Sequence, residues 1–195
     1  MVAVFQGNDL KAAMRGRAGG FVRGFLRYLE ETACPAAVLH GWGEGFEDHP
    51  GDVDLVVSSE QFVGVGRHVH GFAKRCGWRV CQVLRHESTA AFFVCSWSDD
   101  PRQVVALDIC SDYRRNERVL IPCGELLSNR EPLPWGGCRV SREMELRYRF
   151  TKAAVKSKSS DDLAVILDNY SESERKTLGC WLEKRWGLAM NGGAS

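Results

Sequence analysis

The sequence lacks the features that mark exported and membrane-spanning proteins. None of its 195 residues falls in an apolar run near the roughly 20 residues that cross a bilayer. Residues 1–11 lack the basic-then-apolar order of a signal peptide. The formal net charge is only +1, whereas nucleic-acid-binding domains are usually basic. We therefore expect a cytoplasmic protein that does not enter membranes, and the net charge argues against nucleic acid as its partner.

The cysteines lack the paired C-x-x-C spacing that is usual for zinc sites. Thiols stay reduced in the cytoplasm, and most of these residues lie in apolar surroundings, as Cys95 does after Phe93 and Val94. We expect most of the eight to be small core side chains: Cys34, Cys76, Cys81, Cys95, Cys110, Cys123, Cys138 and Cys180.

Hydrophobic periodicity and turn residues predict an α+β fold. The first part of the chain is predicted to contain helices over residues 10–32 and 58–75, with strands over 36–40, 53–57, 79–85, 90–97, 103–110 and 119–121. The turn at residues 98–101 makes the strands on either side of it antiparallel neighbours. The arrangement is typical of a mixed sheet flanked by helices.

The chain changes character after a stretch rich in proline and glycine, residues 129–137, which we interpret as a linker. We assign residues 1–135 to the α+β domain, 136–190 to a helical segment packed on it, and 191–195 to a disordered tail. Three helices are predicted in the later segment: 141–156, 161–170 and 172–186, the last with a capping box at Ser171 and Glu174.

Two aspartates alternate with apolar residues where a strand begins, in Gly51-Asp52-Val53-Asp54-Leu55. Side chains alternate faces along a strand, so Asp52 and Asp54 point the same way while Val53 and Leu55 enter the core. Like-charged carboxylates side by side repel each other unless a cation lies between them. Mg²⁺ and Mn²⁺ favour such oxygen ligands, and paired carboxylates are typical of phosphoryl-transfer sites.

A third carboxylate, Asp108, interrupts the apolar strand that ends at Cys110. An isolated aspartate in a buried strand is costly unless it is paired or binds a metal. If this strand lies beside the strand of Asp52 and Asp54, the three carboxylates converge, and Asp108 can also accept a proton. The alternatives are that Asp108 only pairs with an arginine, or that Asp112 replaces it.

This combination resembles the DNA polymerase-β-type nucleotidyltransferase superfamily over roughly residues 20–125. Within it, the chain is similar to nucleotidyltransferase-like domains of bacterial surface-polysaccharide gene neighbourhoods. The shared features are Gly41-Trp42, Gly51-Asp52-Val53-Asp54-Leu55, Asp108 with Asp112-Tyr113-Arg114, and Glu145-x-x-Tyr148-x-x-x-Lys152.

The resemblance implies that Asp52, Asp54 and Asp108 are catalytic and bind the metal, with a nucleoside triphosphate as substrate. Gly41 would let the backbone approach the phosphates. Trp42 departs from the pattern, which usually has a second glycine or a serine there. A tryptophan at this position either stacks on a base, reflects a different substrate, or marks lost catalysis. Gly43, one residue later, would supply the backbone freedom that the missing glycine normally provides.

Basic residues supply candidate phosphate ligands on either side of the predicted linker. Arg114, Arg115 and Arg118 follow Asp108 closely, and arginine binds phosphates in a bidentate manner, although a solvated loop explains their position equally well. Lys152 shares a helix face with Glu145 and Tyr148 and reaches the triphosphate if that helix packs across the cleft. His40, which precedes Gly41, is a further candidate for contact with substrate, and no role is predicted for His86.

Three functions are compatible with the motifs. The first is a Mg²⁺-dependent nucleotidyltransferase that transfers a nucleoside monophosphate from a nucleoside triphosphate to a hydroxyl or phosphate of a small molecule. The second is a nucleotide-binding regulatory or scaffolding domain without turnover. The third is a toxin- or antitoxin-type enzyme of the same superfamily, which modifies a protein partner or RNA.

Overall fold

The computed structural model describes residues 18–41, 51–156 and 158–187. The chain divides into two compact units after Val140, and each is considered by itself. The first unit contains four helices within these ranges: α1 (Ala18–Glu31), α2 (Ser59–Phe62), α3 (Val65–Arg75) and α4 (Cys123–Leu126). Its strands are β1 (Ala36–Val38), β2 (Asp52–Val57), β3 (Trp78–Glu87), β4 (Ala90–Trp97), β5 (Val104–Cys110), β6 (Tyr113–Arg115), β7 (Arg118–Ile121), β8 (Glu131–Pro132) and β9 (Cys138–Arg139).

Seven of these strands form a mixed sheet in the order β3-β4-β5-β2-β1-β9-β8. Strand β2 pairs parallel with β5 and antiparallel with β1, and the β3-β4-β5 neighbours are antiparallel. The antiparallel pairing predicted across residues 98–101 is thereby confirmed, as is a mixed α+β architecture with helices flanking a mixed sheet.

The main core lies on one face of this sheet, against α1 and α3. Helix α1 presents Phe21, Phe25 and Leu29 at helical spacing, and all three are fully buried. The Phe72 ring of α3 lies 5.2 Å from that of Phe21 and 5.5 Å from that of Phe25, between ring centroids. Burying one such side chain contributes about 1.5–3 kcal/mol, so these rings stabilise the packing of α1 and α3 on the sheet.

Strand β3 forms one edge of the sheet and carries two bulges. Val80 pairs with Cys95 and Gln82 with Val94, so Cys81 is an extra residue in β3. His86 is extra in the same way, because Arg85 pairs with Ala91 and Glu87 with Ala90. A bulge changes the direction of a side chain and bends the strand, and the bulge at His86 lies near the turn into β4.

Strands β6 and β7 form a separate two-stranded hairpin. Its two-residue turn, Asn116-Glu117, has positive φ at both positions, 50° and 60°, as a type I′ turn requires. A glutamate with positive φ is strained. The Glu87 carboxylate accepts the backbone N–H groups of both turn residues at 3.0 Å, which stabilises this conformation.

The second unit comprises α5 (Arg142–Val155), α6 (Ser160–Asp168) and α7 (Glu172–Trp186). Its buried cluster is formed by Leu146, Tyr170, Leu178 and Leu182. The capping box predicted at Ser171 and Glu174 is present, and a second one begins α6 at Ser159 and Asp162. None of the helices in the described ranges has the length and apolar character of a membrane-spanning segment.

Two details of the predicted organisation are wrong. Residues 129–137 do not form a linker, because β8 and β9 pair with each other and β9 pairs with β1. The division between units therefore lies after Val140 and not after residue 135. The helix expected over 58–75 is two helices, since α2 ends at Phe62 and α3 begins at Val65. The predicted tail, 191–195, lies outside the described residues.

Candidate active site

The parallel pairing of β2 with β5 brings two of the predicted carboxylates together. Asp54 lies directly opposite Asp108 in the register, and Asp52 lies opposite Ala106. Neighbouring strands are separated by about 4.8 Å, and opposed residues of parallel strands project on the same face. Asp52, Asp54 and Asp108 therefore share the sheet face opposite the α1–α3 core.

The alternation predicted for β2 is present. Val53 and Leu55 are buried in the main core, whereas Asp52 is exposed at the start of the strand. Asp54 is only 4% exposed, so its charge requires a compensating partner. The Asp108 side chain retains 29% exposure and forms the more accessible side of the pair.

Each of the paired carboxylates contacts a histidine. His40 Nε2, at the end of the β1 segment, lies 2.5 Å from Asp54 Oδ2. His86 Nε2 lies 3.0 Å from Asp108 Oδ1. The two imidazoles thus flank the carboxylate pair, and both remain partly open to solvent, with 31% and 46% of their side chains exposed.

No role was predicted for His86, because its contact with Asp108 depends on pairing over two successive strands. Leu84 pairs with Phe92, and Phe92 pairs with Asp108. The bulge at His86 then turns its ring toward that carboxylate. The only available signal was a histidine two residues before a turn, which is too general to predict a site.

Electrostatic coupling extends from the carboxylates to the chain that follows β5. The pKa of the Tyr113 phenol is raised to about 12, chiefly by burial; Arg115 opposes the shift, and Asp54 and Asp108 add to it. Burial, reinforced by Asp108 and Asp54, raises the pKa of the Cys110 thiol well above its usual value. The start of the β6–β7 hairpin therefore borders the carboxylate pair.

The predicted phosphate ligand Arg114 is engaged with another carboxylate. Its Nε and Nη2 donate to Asp112 Oδ1 and Oδ2 at 2.7 and 2.9 Å, a bidentate geometry. Thr89 Oγ1 donates to Asp112 Oδ1 at 2.5 Å, and Arg114 Nη1 donates to Ser88 Oγ at 3.2 Å. Asp112 and Arg114 thus tie the β6 strand to the β3–β4 turn, so Asp112 does not replace Asp108 beside Asp54.

The other residues predicted to bind nucleotide are Gly41, Trp42, Gly43 and Lys152. Gly41 has φ of +79° with open space around its α-carbon, a conformation that favours glycine. Trp42 and Gly43 lie outside the described residues. Lys152 belongs to α5 of the second unit, where its ammonium lies 5.4 Å from the Tyr148 ring centroid.

The side chains on this sheet face offer the type of ligand atom that a hard divalent cation prefers. Asp52, Asp54 and Asp108 supply carboxylate oxygens, which Mg²⁺ prefers, and few protein ligands are needed because water and phosphate complete its shell. Within residues 18–41, 51–156 and 158–187, no three His, Cys, Asp or Glu side chains lie close enough together to form a metal cage.

Comparison of the sequence with protein-family models and with curated proteins gives no significant match. The functional argument therefore depends on the carboxylate pair and its surroundings.

Proposed function

We propose that this protein is a Mg²⁺-dependent nucleotidyltransferase that transfers a nucleoside monophosphate from a nucleoside triphosphate to a small-molecule acceptor. The observation that carries the proposal is the direct opposition of Asp54 and Asp108 on parallel strands, with Asp52 on the same face. The polymerase-β-like motif and the mixed sheet agree with it. Manganese would satisfy the same oxygen ligands.

In this proposal Asp52, Asp54 and Asp108 would hold the metal, whose charge would offset that of the triphosphate and activate the α-phosphate. Asp108, the more exposed member of the pair, also accepts the proton of the attacking acceptor oxygen. The acceptor oxygen forms a bond to the α-phosphorus, the bond to the bridging oxygen breaks, and pyrophosphate leaves. The protein contributes mainly position and charge.

His40 and His86 would support these carboxylates from the side. Each contacts one oxygen of an aspartate, which limits rotation of the carboxylate and keeps its orientation for the metal. His40 and His86 are thus positioning residues. Their loss should weaken metal-dependent nucleotide binding without abolishing it.

A second candidate, a nucleotide-binding domain without turnover, is favoured by one feature. Trp42 stands where the superfamily usually has a small residue. In that case the protein binds nucleotide and metal through the same aspartates but releases no pyrophosphate in the presence of any acceptor.

The test is calorimetric titration of wild type with ATP, GTP, CTP and UTP, with and without Mg²⁺, followed by a pyrophosphate-release screen over acceptors. Asp54→Asn should weaken Mg²⁺-dependent binding by more than about 100-fold, because even groups that only orient metal ligands change affinity by about 10- to 100-fold. Asp99→Asn, an equal charge change at an exposed turn residue, serves as the control. Equal affinity in Asp54→Asn and wild type would refute the site.

A further inference from the structure

The tip of the β6–β7 hairpin carries two arginines on opposite strands. Arg115 and Arg118 are directly paired across the type I′ turn, and both are exposed. Directly opposed residues of an antiparallel pair have β-carbons about 4.5–5.5 Å apart, and like charges in that position destabilise the hairpin. An anion that lies between the guanidinium groups would offset this repulsion.

The other charged residues of the hairpin are already engaged. Arg114 pairs with Asp112, while Glu117 receives hydrogen bonds from both Ser88 N and Ser88 Oγ, at 2.9 and 2.5 Å. By contrast, across the part of the chain that the structure describes, no hydrogen bond or ion pair involves the side chain of Arg115 or Arg118. Two cations therefore lack an internal counterion.

Strand alternation places these arginines on the side of the hairpin that borders the carboxylate pair. Arg115 and Tyr113 are two residues apart on β6 and share a face, whereas Arg114 points the other way, toward Asp112. The charges of Asp54 and Asp108 raise the pKa of the Tyr113 phenol, and the charge of Arg115 lowers it. Tyr113 is thus within electrostatic range of Arg115 and of both aspartates.

The turn that presents the arginines is fixed in place. Both of its central N–H groups bond to the Glu87 carboxylate at 3.0 Å, and its Glu117 side chain bonds to Ser88 at the β3–β4 turn. A ligand that binds between the arginines would therefore meet a site whose backbone is already ordered, which reduces the entropy lost on binding.

We propose that Arg115 and Arg118 together bind a phosphate group of the substrate used by the Asp54–Asp108 site. Two guanidinium forks can donate several charge-assisted hydrogen bonds to one phosphate. The identity of the ligand rests on the proposed function. The phosphate belongs either to the nucleoside triphosphate or to a phosphorylated acceptor, and the two sources can be separated by experiment.

The first experiment measures binding of inorganic pyrophosphate by calorimetry in EDTA, so that no divalent metal takes part. Wild type is compared with Arg115→Gln/Arg118→Gln and with Arg67→Gln/Lys74→Gln. The latter pair removes two exposed cations from α3, the helix that covers the opposite face of the sheet. We expect the hairpin variant to bind at least about tenfold more weakly than wild type and the α3 variant to retain wild-type affinity.

A second hairpin variant distinguishes loss of ligand contacts from loss of hairpin structure. Arg115→Lys/Arg118→Lys keeps both charges and loses the bidentate forks, so its affinity should lie between those of wild type and the glutamine variant. Hydrogen exchange at residues 111–121 checks that the hairpin is intact in all variants. Equal pyrophosphate affinity in wild type and the glutamine variant, or an equal loss in the α3 variant, would overturn the proposal.

The second experiment identifies the source of the phosphate. A loss of Mg²⁺·ATP affinity in Arg115→Gln/Arg118→Gln assigns the pair to the triphosphate. Unchanged Mg²⁺·ATP affinity with weaker binding of glycerol 3-phosphate assigns it to the acceptor. Asp54→Asn should retain pyrophosphate binding in EDTA while losing Mg²⁺·ATP. If Asp54→Asn instead keeps Mg²⁺·ATP affinity, the proposed function fails, whereas the pyrophosphate result still decides the arginine pair.

Discussion

Substitution of Arg114 tests whether this residue stabilises the fold or binds the phosphates of a nucleotide. Its bidentate contact with Asp112 lies partly inside the protein, where the two side chains are 23% and 11% exposed. Arg114→Gln removes both guanidinium hydrogen bonds to the Asp112 carboxylate. The hydroxyl of Thr89 still donates to that carboxylate. We therefore expect the substitution to reduce stability whether or not nucleotide is present.

The expected magnitude follows from the burial of the pair. Breaking a fully buried ion pair by removing one partner costs roughly 3–5 kcal/mol, and a hydrogen bond to a charged group contributes about 1.5–3 kcal/mol. Because the Arg114 side chain is partly exposed, we expect a loss of about 2 kcal/mol for the first unit, a factor of about 30 in the folding equilibrium.

The assay is urea unfolding at pH 7.5, read by hydrogen-exchange mass spectrometry so that the two units are resolved separately. Arg102→Gln is the matched control, because Arg102 also makes a bidentate contact, with Asp100, but its side chain is 89% exposed. An exposed pair of this kind contributes little. Wild-type stability in Arg114→Gln, combined with lost nucleotide binding, would refute the structural role and restore Arg114 as a phosphate ligand.

Three further outcomes are expected. In the native protein iodoacetamide should modify exposed Cys81 before Cys110, because burial raises the pKa of the Cys110 thiol; peptide mass spectrometry would show the order, and equal rates would contradict the burial. Ser171→Ala should destabilise the second unit by about 1 kcal/mol through loss of the α7 cap, measured by hydrogen exchange in that unit. Burial raises the pKa of Tyr113 to about 12, above its ordinary value of 10.0, so its stability contribution is present below pH 10 and is lost as pH rises toward 12. Tyr113→Phe should therefore flatten the fall in stability over that range, and an unchanged slope would argue against burial of the phenol.

Local patterns were sufficient to predict most of the sheet. The alternation of Asp52 and Asp54 with buried residues identified β2. The sequence could not show that β2 and β5 are adjacent, since parallel pairing depends on the whole fold. Their register, which places Asp54 opposite Asp108, comes from the structure alone.

The contacts and strands that were not predicted share a physical cause, which is pairing between segments distant in the sequence. His86 reaches Asp108 through a bulge on an edge strand, and Arg114 is held by Asp112 and Ser88 at a different turn. Residues 131–139 have the composition of a linker yet add two short strands to the sheet. Cys81 and Cys180 are exposed although core positions were expected for most cysteines; neither their residue type nor their neighbours indicated this.

The two ends of the seven-stranded sheet carry features that disfavour edge-to-edge pairing with another molecule. An unpaired edge strand can template pairing with another molecule. At one end, the bulges at Cys81 and His86 interrupt the regular row of hydrogen-bonding groups along β3. At the other, β8 is only two residues long and ends in Pro132, which has no N–H to donate. The irregularity that turns His86 toward Asp108 thus also disfavours pairing of β3 with another molecule, so straightening β3 would be expected to promote aggregation as well as to disturb the site.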